Sequence, residues 1–138
     1  MLRKKDKWET ETGMEGEKMR VAITSQGDDL EGNVDARFGR AAKFLLVDTD
    51  TMSLQVIENK QSLNLARGAG IQAAQNVIHH NPDVVLTGNC GPKAFRVLQA
   101  AGVKVALGVK GKIRDALQDY VEGKLQPADE PNVEGHWV

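Results

Sequence analysis

The sequence predicts a three-layer α/β domain whose mixed sheet has an antiparallel hairpin at one edge and a parallel βαβ half across the rest. Three observations lead there. Lys43 to Asp48 and Ser53 to Glu58 read as strands joined by Asp48-Thr49-Asp50-Thr51, a composition suited to a tight reversal and hence to an antiparallel hairpin. From Gly70 onward helical and strand patterns alternate, which implies parallel strands with right-handed helical crossovers. The chain has 138 residues, 41% of them hydrophobic, enough for one modest core and too few for two domains of ordinary size.

The elements follow in order. Residues 1–18 mix Lys and Glu with few apolar side chains, a composition that cannot offset ordering entropy, and they read as a disordered tail ahead of a domain over 19–125. Arg20 to Thr24 is the first strand, followed by a turn-rich loop from Ser25 to Arg40 and then the hairpin. Gly70 to His80 carries Ile71, Ala74, Val77 and Ile78 at helical spacing and stops at Asn81-Pro82. Val84 to Thr87, Pro92 to Ala101, Val103 to Leu107 and Lys112 to Val121 then alternate as strand, helix, strand, helix. Residues 126–138 are polar and proline-punctuated, a tail expected on the surface.

Composition excludes several functions. Formal net charge is −1, without the basic excess of nucleic-acid binders. No segment approaches the roughly 18 uncharged apolar residues of a membrane span, and the N-terminus lacks the apolar stretch of a signal peptide, so a soluble cytoplasmic protein is expected. The single cysteine, Cys90, excludes an intramolecular disulfide and any cluster held by several thiolates of one chain.

In a parallel sheet, ligands bind where loops leave the carboxyl ends of the strands. The loops Ser25 to Arg40, Gly88 to Lys93 and Leu107 to Lys112, with the helix start near Gly68 and Gly70, should therefore share one rim. Gly88-Asn89-Cys90-Gly91-Pro92-Lys93 breaks from a buried strand into a helix whose first N–H groups and positive dipole end suit an anion. Arg37-Phe38-Gly39-Arg40 combines two guanidinium groups, an aromatic face and a glycine. It reads either as a cradle for a multiply charged anion or as a core Phe38 between two ordinary surface charges. Arg67, Lys93, Lys110 and Lys112 add positive charge to the same loops.

Gly68-Ala69-Gly70-Ile71-Gln72-Ala73 fits the G-x-G-x-x-A pattern, but it does not follow a strand by a tight turn and no acidic residue ends the next strand at a suitable distance. An anion-accepting helix start is the better reading. Two-metal nuclease chemistry needs carboxylates on adjacent core strands. The first strand has none, and Asp48 and Asp83 fall where turns need them. His79 and His80 suit a solvated last helical turn.

Three stretches together resemble the dinitrogenase iron–molybdenum cofactor biosynthesis family, over Met19 to about Leu125: Asp35-Ala36-Arg37-Phe38-Gly39-Arg40 with Phe44 and Asp48, Gly68-Ala69-Gly70-Ile71-Gln72-Ala73-Ala74, and Gly88-Asn89-Cys90-Gly91-Pro92-Lys93-Ala94-Phe95. The resemblance implies a ribonuclease H-like arrangement and a non-enzymatic protein that binds or carries a molybdenum- or iron-containing sulfide cluster. Arg37 stands where carriers of the nitrogenase cofactor commonly have histidine, and arginine neutralises anions but does not ligate metals. This departure turns the resemblance toward the small orange-protein-like members, which hold a molybdenum–copper sulfide cluster noncovalently. On that reading the cluster contacts are Ser25, Arg37, Phe38, Gly39, Arg40, Gly68, Gly70, Gly88, Asn89, Gly91, Lys93 and Lys110. Cys90 is either a copper ligand or a small core hydrophobe. The resemblance also implies a partition-type ATPase as partner, and the alternative function is a metal-free module that contacts such an ATPase through the glycine rim.

Overall fold

The computed structural model describes residues 19–59 and 69–131. The expectations for residues 1–18, for Arg67 and Gly68, and for residues 132–138 lie outside them. Five strands and three helices follow in the order β1 (Arg20–Ser25), β2 (Lys43–Asp48), β3 (Ser53–Glu58), α1 (Ala69–Ile78), β4 (Val84–Leu86), α2 (Pro92–Ala100), β5 (Lys104–Ala106) and α3 (Ile113–Val121). The sheet order is β3-β2-β1-β4-β5. β2 runs antiparallel to both β1 and β3, whereas β4 runs parallel to β1 and β5.

Strand β1 is apolar on both faces because it lies in the middle of the sheet with helices on either side. Ala22, Phe44, Leu46 and Val85 face α1 and α2 and pack with Val77, Phe95 and Leu98. Val21, Ile23, Leu45, Val84 and Leu86 face the other way and meet Ile113, Ala116 and Leu117 of α3. The three-layer mixed α/β architecture is the one the alternation predicted. Helix α1 buries mostly small residues, Ala69, Gly70, Ala73 and Ala74, and small side chains let its backbone come close to its neighbours.

One difference from the sequence reading concerns the end of α1. Helix α1 stops at Ile78, so His79 and His80 form the turn beyond it, where the His80 carbonyl accepts a 2.9 Å hydrogen bond from the Arg20 guanidinium. The described residues after α3 run over the surface and are tied down at one point. The Ala128 N–H donates to the Val105 carbonyl at 2.7 Å, tying the chain to the outer side of β5. Among the described residues no helix is long and apolar enough to cross a membrane.

Candidate functional site

The parallel strands β1, β4 and β5 end at Ser25, Leu86 and Ala106, and the loops leaving them are knitted together by backbone contacts. Phe38 N–H donates to the Asn89 carbonyl at 3.1 Å and Asn89 N–H to the Ala36 carbonyl at 2.7 Å, so the loop after β1 runs as a short parallel bridge beside the loop after β4. Gly108 N–H reaches the Gly88 carbonyl at 2.9 Å, and Val34 N–H reaches the Gly111 carbonyl at 2.8 Å, bringing in the loop after β5. At the base of the rim the Thr24 hydroxyl lies 2.9 Å from that of Thr87 and donates to the Asp35 carbonyl at 2.7 Å.

Two glycines make this convergence possible. A Cβ on Gly88 would stand 2.8 Å from the Ala36 carbonyl oxygen, and one on Gly39 would stand 2.9 Å from both the Cα and N of Gly70. A Cβ on Gly70 would in turn lie 3.2 Å from that of Ala94. The loop after β1 is thus pressed against the first turn of α1, and the first turn of α1 against the first turn of α2. Two helix N-termini meet at one place.

The first turns of α1 and α2 hold no acidic residue, whereas α3, on the opposite face of the sheet, begins in the ordinary way with Asp115 in its first turn. Helix α2 starts at Pro92, its N-cap Gly91 gives no side-chain hydrogen bond, and Lys93 is exposed in the first turn. A cation there opposes the helix dipole. Arg37, Arg40 and Lys110 are also exposed, and among the described residues none of these four pairs with a carboxylate. Two of the loop's four acids pair with cations elsewhere, Asp28 with Lys43 and Glu31 with Arg114 and, at 3.5 Å, with Lys112. The Asp29 and Asp35 carboxylates accept the backbone N–H groups of Glu31 and Arg37 at 3.0 and 3.1 Å. Hydrogen bonding from Arg114 holds the Glu31 carboxyl below its ordinary range.

Some expected contacts fall into other roles. Phe38 is fully buried, its ring 5.4 Å from that of Phe44 and tilted by 50°, so it anchors the loop in the core and presents no face to the rim. Such an aromatic pair adds about 0.5–1.5 kcal/mol beyond burial. The buried Ser25 hydroxyl serves its own loop, donating to the Gly27 carbonyl at 2.8 Å and accepting the Gly27 N–H at 3.0 Å. Cys90 is fully buried beside Phe95 and Val85, and burial pushes its thiol up to about 12. In this state the sulfur is a protonated core side chain rather than an exposed soft ligand, because the loop's contact with Ala36 turns it inward. Among the described residues no three His, Cys, Asp or Glu side chains gather as a ligand set. Arg96, one helical turn beyond Lys93 and exposed, extends the positive face of α2; its i,i+3 spacing from Lys93 was the signal for it.

Fold and rim together belong to a known family. Residues 18–123 match the dinitrogenase iron-molybdenum cofactor family, and the chain belongs to it. Among solved structures it is similar to the apo form of the orange protein from Desulfovibrio gigas, with 46% identity, a TM-score of 0.80, and coverage of 83% of this chain and 97% of that one. A putative NifB protein from Thermotoga is 34% identical with a TM-score of 0.72, covering 85% of this chain and 99% of its own. An uncharacterised protein of Methanocaldococcus jannaschii is 28% identical over 111 residues, 78% of this chain and 90% of its own.

Proposed function

We propose that this protein is a non-enzymatic carrier for an anionic molybdenum-containing sulfide cluster, held noncovalently on the rim above β1, β4 and β5. Its membership of the dinitrogenase cofactor family and its likeness to the orange protein support a cofactor-binding role. The observation that carries the reading is the meeting of two acid-free helix starts, α1 and α2, beneath the exposed cations Arg37, Arg40 and Lys93. Helix N–H groups and the dipole favour negative charge. A cluster that brings its own sulfide ligands needs charge neutralisation and shielding more than protein donors. The orange-protein resemblance points to molybdenum with copper as the cargo.

The test is reconstitution with thiomolybdate and copper, read as bound metal per chain and as sulfide-to-metal absorption in the visible. The wild-type chain takes up the cluster. Arg37→Gln with Arg40→Gln, which keeps polarity and removes two charges, lowers affinity at least tenfold. A unit charge pair 4 Å apart at an effective dielectric near 20 interacts by about 4 kcal/mol before desolvation, so a strongly screened remnant suffices. Cys90→Ala retains the cluster. Loss in the alanine variant with retention in the glutamine variant would make the thiol the ligand. A wild-type chain that takes up nothing would leave the rim as a protein-interaction surface, the alternative in which a partition-type ATPase docks there.

A further inference from the structure

The two edges of the sheet are treated differently. Along β5 the chain returns, with Pro127 and the Ala128 N–H bonded to Val105 closing part of the outer side. Along β3 no described strand or bridge pairs with the outer side. That strand has neither the Lys nor the Pro with which edges are commonly blunted. Five of its six residues are exposed, and among the described residues the exposed large hydrophobics are all here: Leu54 at 39%, Val56 at 38%, and Met52 at 52% in the adjoining turn.

We infer that β3 is a self-association edge, on which a second copy of this chain adds its own β3 antiparallel to make a continuous ten-stranded sheet. A two-fold axis perpendicular to the sheet keeps each face on its own side, so only registers that set like-facing residues opposite one another are allowed. Three such registers lie within reach of the exposed pair. Centred on Val56, the strand sets Leu54 against Glu58 of the second copy. Centred on Leu54, it sets Glu58 against Asp50, two carboxylates, and draws in Met52, whose φ of 60° takes it out of strand geometry.

Centred on Gln55, Leu54 lies opposite Val56 in both directions, and Gln55 meets Gln55, an amide that donates and accepts equally. In that register the two Glu58 carboxylates stand about six residues apart, roughly 20 Å, beyond a physiological screening length. Each Glu58 already faces Lys43 across its own hairpin. Glu58 then falls opposite Met52, which lies in the turn beyond the strand, so pairing runs from Ser53 to Ile57, and over that span the hydrophobic and hydrogen-bonding patterns agree on one register. An interface one strand wide lies at the small end of specific contacts, so the dimer is weak, with a dissociation constant on the order of 100 µM.

Sedimentation of the full chain between about 10 µM and 1 mM tests it. The average mass rises toward that of two chains, and the paired substitution Leu54→Lys with Val56→Lys holds it at one. Both sites are partly exposed, and circular dichroism checks that the variant remains folded. If that variant unfolds, register decides instead. Under oxidation Gln55→Cys cross-links to itself several-fold faster than Leu54→Cys, whose mate stands diagonally, about 7–8 Å away. A chain that stays single at 1 mM, a dimer that survives the lysines in a folded variant, or cross-linking that prefers Leu54→Cys would each overturn the inference.

Discussion

Cys90 shows most sharply how a residue's chemistry is set by what surrounds it. By residue type alone it is the chain's one thiol and so its one thiolate donor; in place it is wholly enclosed and its thiol is pushed up to about 12 by burial. Thiol reagents at pH 8 should label the native chain slower than the unfolded one by on the order of a hundredfold, since labelling waits for local opening. Burial favours the neutral thiol, so between about pH 9 and 12 the folded chain holds a proton that the unfolded chain releases. The stability this represents is complete below that window and is lost as pH rises through it. Cys90→Ala should therefore flatten the alkaline limb of a stability curve, and an unchanged limb would place the titrating group elsewhere. At the neighbouring glycines, sterics decide. Gly88→Ala drives a methyl group to 2.8 Å from a carbonyl oxygen, whereas Gly27→Ala meets nothing within 4 Å. The first should lose about 1–3 kcal/mol in denaturant unfolding and the second should change little.

At the scale of elements, α2 pairs a sound helix with a badly chosen first turn. Phe95 and Leu98 bury one face, yet the turn that should carry an acid carries Lys93. Placing a cation there costs about 0.3–1 kcal/mol by the dipole argument. Lys93→Glu should raise the thermal midpoint by a few degrees while weakening uptake of the anionic cluster. Opposite signs for stability and binding are the mark of a residue kept for its ligand, and a fall in both would mean that Lys93 supports the fold by a contact of its own. Elements were also what the sequence displayed most clearly. The hairpin Lys43 to Glu58 and the helix from Pro92 read correctly because turn chemistry, proline and apolar period agree locally. The inward turn of Cys90 and Phe38 stood in the sequence only as one of two readings for each, because it depends on the approach of Ala36 to Gly88 and of Gly39 to Gly70, contacts between segments far apart in the chain. The Thr24–Thr87 hydroxyl pair was not legible, because it exists only once β1 and β4 are in register.

For the whole molecule, a formal net charge of −1 conceals a separation that the topology creates. Two acids of the long loop, Asp28 and Glu31, are drawn to Lys43, Lys112 and Arg114, which leaves Arg37, Arg40 and Lys93 exposed near two helix starts and Lys110 exposed on the neighbouring loop. Strand direction made that rim predictable from the alternation of elements, but which cations pair with no carboxylate among the described residues became visible only with the loops in place. If charge holds the cluster, affinity for thiomolybdate should fall steadily as salt rises from about 20 mM to 500 mM, since screening lengths shrink from roughly 20 Å to 4 Å. It should also be nearly flat between about pH 6.5 and 9, because guanidinium and ammonium groups in general keep their charge there. A thiolate ligand predicts otherwise. Binding through Cys90 would expel the thiol proton, so affinity would climb toward tenfold per pH unit and depend little on salt. Titrating metal uptake across both variables in one preparation separates the two, and a steep rise with pH would return the cysteine to the centre of the site and reduce the arginines to its surroundings.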